Sequence, residues 1–202
     1  MIMKLFDYTF GRLLTEEESN NIITVLDKQS DDFKVTDDFG DLSLSVYEMD
    51  FDNMSPSYAK SLLQDRINDF ASKFGFEVRD LFFIKYEKDL IKMDPHYDGS
   101  STTTLVYLNN NYTGGGTYFP FIKKTHVPQD HPVGHFIHYN SNHILSFHTG
   151  LPVTSGTKYV MVIRSLRINL LSVFYLLPYR IFRDLIFERF LLKIVFKNVG
   201  NR

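Results

Sequence analysis

The chain has no cysteine, which excludes a disulfide framework, a thiolate zinc site and a cysteine nucleophile; any metal must be held by histidine and carboxylate. It lacks an excess of charge of one sign: the formal net charge is -2, which gives no general attraction for nucleic acid. That near-balance hides an asymmetry. Residues 164–202 hold eight Lys and Arg against two acids, net +6, which leaves -8 on residues 1–163. No apolar run approaches the roughly 20 residues that a membrane helix needs. The most apolar stretch, Leu170 to Leu177, is closed by Pro178. At the start, Asp7 and Arg12 interrupt any signal-peptide core, so the sequence predicts a cytoplasmic protein without a cleaved signal. Internal repeats and low-complexity tracts are also missing.

What is present is an apolar, aromatic-rich chain. With 202 residues, 44% hydrophobic and 15% aromatic, it has enough apolar surface to offset the entropy of folding, and its length suits one domain. Thr15-Glu16-Glu17-Glu18 fits a capping box, and Ile22, Ile23 and Leu26 follow on one face, predicting a helix over 16–28. Ser55-Pro56 supplies an N-cap and a first-turn proline ahead of Tyr58, Leu62, Leu63, Ile67, Phe70 and Ala71 at helical spacing, predicting a second helix over 56–74. Between them, 31–44 is polar and acidic, followed by an alternating segment from Leu42 to Tyr47. After Gly75 come short runs rich in Val, Ile, Tyr, Phe and Thr, which predict strands at 81–87, 101–108, 116–121, 134–139, 143–148 and 158–166. The expected class is α+β, mainly β: a jelly roll, or double-stranded β-helix, with N-terminal helices packed on one sheet. The expected division is a helical part over 1–77, a jelly-roll core over 78–167 and a basic, hydrophobic extension over 168–202. That extension reads as helices capping the core or forming a homodimer interface, with contact to a membrane surface as the second reading.

The residues that carry chemistry begin at His96-Tyr97-Asp98. On an extended segment, positions i and i+2 share a side, so His96 and Asp98 are able to offer an imidazole nitrogen and a carboxylate oxygen to one ion. The other histidines, His126, His131, His135, His138, His143 and His148, all lie downstream. We choose His148 as third ligand because a turn over 149–157 returns the chain toward the metal, where Lys158 is able to meet an acidic group; His143 is the alternative. Two imidazoles and a carboxylate with open positions opposite are the donor set of a non-haem Fe(II) centre.

Taken in order, His96-Tyr97-Asp98, the Thr103–Asn109 run, Gly114-Gly115-Gly116-Thr117-Tyr118-Phe119-Pro120, and His148 through Tyr159 resemble the catalytic domain of prolyl 4-hydroxylase-type 2-oxoglutarate/Fe(II) dioxygenases. The similarity covers about residues 80–166, and Leu13-Leu14-Thr15-Glu16-Glu17-Glu18 resembles the helix that often opens this domain. The resemblance implies His96, Asp98 and His148 as iron ligands and Lys158 as partner of the distal carboxylate of 2-oxoglutarate. It also implies Tyr86 and Thr117 as lining of the co-substrate pocket. The expected cofactors are Fe(II), 2-oxoglutarate as co-substrate and O2, with ascorbate as an accessory reductant. The expected reaction is hydroxylation of a C–H bond in a prolyl or other amino-acid side chain of a peptide or protein, or in a small molecule, releasing succinate and CO2. Two departures fall on the substrate side: Gly116 stands where relatives often carry an acidic or polar residue, and an arginine often found before the Thr103 strand is missing, with Ser100 nearby. The competing readings are a non-catalytic metal- or sugar-binding module and a zinc hydrolase using the same three ligands. Nucleic-acid demethylation is disfavoured by the acidic front.

Overall fold

The computed structural model describes residues 8–36, 46–87 and 93–166; most of the expected alternation from Leu42 to Tyr47 and the whole extension from residue 168 lie outside them. The first helix forms as its caps dictate. Thr15 Oγ1 accepts the Glu18 N–H at 3.1 Å, the Glu18 carboxylate accepts the Thr15 N–H at 2.7 Å, and α1 runs Glu16–Lys28. The second helix, α2 (Tyr58–Phe74), starts later than expected. Its N-cap is Ser57, whose hydroxyl accepts the Lys60 N–H, so Pro56 precedes the helix and is not in its first turn. Ser55 is occupied elsewhere: its N–H donates to Gln29 Oε1 at 2.6 Å, tying it to the end of α1. Gly75 closes α2 with a φ of 65°, a left-handed cap that favours glycine.

Strands are numbered in chain order. A seven-stranded antiparallel sheet runs β1 (Thr9–Arg12), β10 (His135–Asn140), β6 (Thr102–Tyr107), β13 (Lys158–Leu166), β4 (Glu77–Tyr86), β3 (Val46–Asp50), β2 (Lys34–Thr36). A four-stranded sheet runs β5 (Met93–His96), β11 (His148–Gly150), β8 (Thr117–Phe119), β9 (Lys124–His126), and β7 (Thr113–Gly114) pairs with β12 (Val153–Ser155). The expected strands at 101–108, 134–139 and 158–166 are β6, β10 and β13. The expected strand at 143–148 is instead a 3-10 turn, Ile144–Ser146, followed by β11.

Alternation along the central strands sorts side chains into two layers. Phe83, Val106, Phe136, Met161 and Ile163 face α1 and α2 and join Ile22, Leu26, Leu63, Ile67 and Phe70 in one core. Their neighbours Phe82, Ile84, Leu105, Tyr107, Ile137, Tyr139, Val160 and Val162 face the other way, toward Phe119 of β8. The helices thus cover one face of the large sheet and leave the other to the small sheet. Every residue of β6 is buried, as expected for a strand covered on both sides. Tyr159 adds a polar tie across the helix layer, its hydroxyl donating to Asp27 of α1. Among the described residues, no helix is long and apolar enough to cross a membrane.

Candidate metal centre and co-substrate pocket

β5 and β11 pair with His96 directly opposite His148, which sets two imidazoles side by side at a ring-centroid distance of 4.5 Å. Asp98, two residues past His96, falls on the same side. The intervening Tyr97 turns away, donating its hydroxyl to the Ile144 carbonyl at 2.8 Å. One ligand atom from each of His96, Asp98 and His148 lies within 4.8 Å of the others, and no other such group of three occurs among the described residues. The other histidines are placed elsewhere. His143 caps the 3-10 turn, its Nδ1 accepting the Leu145 N–H; His126 stacks on His131 and meets His135 Nε2 to Nε2 at 2.8 Å; His138 packs on Phe76.

The protonation states suit metal binding. His148 Nδ1–H donates to the Ser146 carbonyl at 2.9 Å, leaving the Nε2 lone pair toward Asp98, and burial holds this imidazole down at about 4, so it is neutral near pH 7. Burial alone pushes the Asp98 carboxyl up, but His148 and His96, with Arg164 behind them, outweigh it and keep it well below the usual carboxylate range. Tyr139 donates its hydroxyl to Asp98 Oδ2 at 2.8 Å and lies 3.2 Å from His148 Nε2; burial and the neighbouring Asp98 charge raise its pKa, so it remains a donor. A buried carboxylate and a neutral imidazole, each oriented by an outer partner, are the forms a divalent metal binds.

The pocket beside these donors is also lined by Tyr86, Thr117 and Lys158, so all six residues singled out in the sequence meet at one cavity. Lys158 is 1% exposed. Its Nζ donates to the Gly115 carbonyl at 2.6 Å and lies 4.4 Å from the centre of the Tyr86 ring, while burial lowers its pKa to about 7. Thr117 Oγ1 and the Tyr107 hydroxyl are 2.8 Å apart in the wall. The walls between are apolar, from Ile84, Leu105, Val160 and Val162.

Three participants escaped the sequence reading: Tyr139, Gly115 and Arg164. Gly115, expected to be only a hairpin glycine, supplies the acceptor for Lys158, and a Cβ there would lie 3.1 Å from Lys158 Cδ. The glycine run itself was the available signal. Ser100, one of the noted departures, is fully buried in a hydroxyl chain with Thr103 and Ser141 and does not line the pocket.

No protein-family model matches the chain. A protein of Acanthamoeba polyphaga mimivirus with the provisional name prolyl 4-hydroxylase is 44% identical over 62 residues, 29% of this chain and 26% of its own length. A second mimivirus protein, named procollagen lysyl hydroxylase and glycosyltransferase, is 28% identical over 110 residues, 52% of this chain and 12% of its own length. The chain therefore spans about a quarter or less of the curated relatives it matches. Among solved structures, the viral collagen prolyl hydroxylase of Paramecium bursaria Chlorella virus-1, crystallised with 2-oxoglutarate, superposes with a TM-score of 0.59 at 19% identity, covering 82% of this chain and 97% of that one. The chain resembles the prolyl 4-hydroxylases in fold, and locally in sequence.

Proposed function

We propose that the protein is an Fe(II)- and 2-oxoglutarate-dependent dioxygenase that hydroxylates a prolyl or other amino-acid side chain in a peptide or protein. On this reading residues 1–167 form the dioxygenase domain, with a jelly-roll core over 78–167, and 168–202 form an extension. The observation that carries the proposal is one pocket holding a His/Asp/His donor set and a buried lysine with no carboxylate partner among the described residues. A zinc hydrolase would use the same three donors but gives Lys158 no task.

His96, Asp98 and His148 would hold the iron. The iron would supply oxygen activation, in which 2-oxoglutarate and O2 would become succinate and CO2 and one oxygen atom would enter a substrate C–H bond. The chain's own residues position the reactants. Ser146 fixes the His148 tautomer, Tyr139 holds the Asp98 carboxylate, and Lys158 offers its charge to the distal carboxylate from a site where low polarity strengthens the pairing. Apolar walls exclude competing water. The two mimivirus relatives and the viral collagen hydroxylase favour an amino-acid side chain over a small molecule as the target.

The test is anaerobic addition of Fe(II) and 2-oxoglutarate, followed by visible charge-transfer absorption and then by succinate release on admitting oxygen. Wild type shows both signals, His148→Ala loses both, and His143→Ala keeps both. Zinc-dependent hydrolysis without keto-acid consumption would overturn the proposal.

A further inference from the structure

The pocket contains a second cation to which the proposed function assigns no task. Because β13 alternates, Lys158, Val160, Val162 and Arg164 all line the same cavity. The Arg164 side chain has no hydrogen-bond or ion-pair partner among the described residues. Its Nε is buried without an acceptor, and its guanidinium rests 4.7 Å from the centre of the Phe82 ring. A buried guanidinium donor without an acceptor is costly, and its planar fork matches a carboxylate. Two cations on one strand face, separated by two valines and neither paired with a carboxylate, form a pocket for a ligand that is anionic at both ends.

The two ends are distinguishable. Ser101, three residues past Asp98, donates its N–H at 2.9 Å to the carbonyl of Ser165, the residue after Arg164, whereas Lys158 Nζ donates to the Gly115 carbonyl at 2.6 Å. Arg164 thus belongs to the metal end of the cavity and Lys158 to the far end.

We infer that Arg164 binds the carboxylate adjacent to the keto group of 2-oxoglutarate, while Lys158 takes the distal carboxylate. This rests on the 2-oxoglutarate reading of the pocket. A guanidinium fork fixes the plane of the carboxylate it holds, and so the direction in which the adjoining keto oxygen points. Arg164 is therefore a positioning group as well as a charge.

The test uses the full chain with Mn(II) in place of Fe(II), so that binding is read without turnover. Calorimetric titrations compare 2-oxoglutarate with 2-oxopentanoate, which keeps the keto acid but lacks the distal carboxylate. Arg164→Gln should weaken both ligands by a similar factor, about 10- to 100-fold, the loss expected for charge-assisted hydrogen bonds. Arg164→Lys should recover part of it. Lys158→Met should weaken 2-oxoglutarate and leave 2-oxopentanoate unchanged. Mn(II) affinity without keto acid, followed by electron paramagnetic resonance, should not fall in Arg164→Gln relative to wild type, and thermal melting checks the fold. The inference alone is overturned if Arg164→Gln binds both keto acids as wild type does, loses only 2-oxoglutarate, or loses Mn(II) to the same extent. If wild type with Mn(II) binds neither keto acid, the 2-oxoglutarate reading falls and the inference with it.

Discussion

Lys158→Met separates what the buried cation does for binding from what it does to the fold. The ammonium is 1% exposed, and among the described residues it is offset by one carbonyl and two aromatic faces. Burial lowers its pKa from 10.5 to about 7, which corresponds to roughly 5 kcal/mol of lost preference for the charged form. Methionine fills a similar volume without that penalty, but it leaves the Gly115 carbonyl without its donor, a loss of about 1–3 kcal/mol. The net expectation at pH 7 is a ligand-free variant more stable than wild type by about 2–4 kcal/mol. At about 2–4 °C per kcal/mol for a chain of this size, Tm should rise by at least about 4 °C.

The pH dependence has a definite sign. Between about pH 7 and 10.5 the unfolded lysine is protonated while the folded one is not, so wild-type stability from this group rises with pH across that window. The advantage of Lys158→Met should accordingly be largest at or below pH 7 and shrink toward pH 10.5. Affinity for 2-oxoglutarate moves the opposite way: removing the partner of a buried carboxylate costs about 2–5 kcal/mol, or about 30-fold to a few thousand-fold in Kd. Urea unfolding at several pH values and calorimetric titration read the two quantities on one sample. A variant that is less stable than wild type at pH 7, or that binds 2-oxoglutarate equally well, would refute the reasoning.

Three further outcomes follow from particular contacts. Tyr139→Phe removes the donor to Asp98 and should weaken metal binding by about 10- to 100-fold in a competitive chelator titration while leaving the fold intact. Leu63→Ala, at a fully buried position of α2 far in sequence from the donor set, should cost about 2–5 kcal/mol in urea unfolding with little change in metal affinity. Burial lowers the pKa of His126 to about 3 and of His135 to about 4, so both stay neutral in the folded chain while the unfolded chain takes up protons below about pH 6.5. Stability should therefore fall as pH drops from 6.5 toward 4, and replacing both histidines with glutamine should flatten that slope in pH-dependent melting.

The legible parts of the molecule were those decided by local geometry. The Thr15 capping box depends on four consecutive residues and forms as expected. At the second helix two serines competed for the cap. Ser57 holds the cap while Ser55 is tied to Gln29 at the end of α1, a partner 26 positions away that no local pattern contains. The segment at 143–148 misled for a related reason: Ile144 and Leu145 are apolar as strand residues are, but the Ser146 hydroxyl turns back to the Ser141 and His143 carbonyls and curls the chain into a 3-10 turn. That turn in turn places the Ser146 carbonyl where His148 Nδ1 meets it, so the element most poorly read is the one that sets the imidazole's tautomer.

The same distinction separates the residues around the pocket that the sequence marked from those it did not. His96 and Asp98 share a side because of their spacing alone, and Lys158 and Arg164 do so too, at a separation of six along β13, so Arg164 was available to anyone who extended the alternation past Val162. Tyr139 was not available in that way. Its position follows from β10 pairing with β6 at Tyr139↔Thr103, a register that decides which of two alternating sets, Phe136 and His138 or Ile137 and Tyr139, turns toward Asp98. A one-residue slip would exchange those sets, removing the donor to Asp98 and presenting His138 in its place. The helices hold the register: Phe136 packs edge-on to Phe70 at 4.9 Å, so burying that ring against α2 directs Tyr139 to the opposite face.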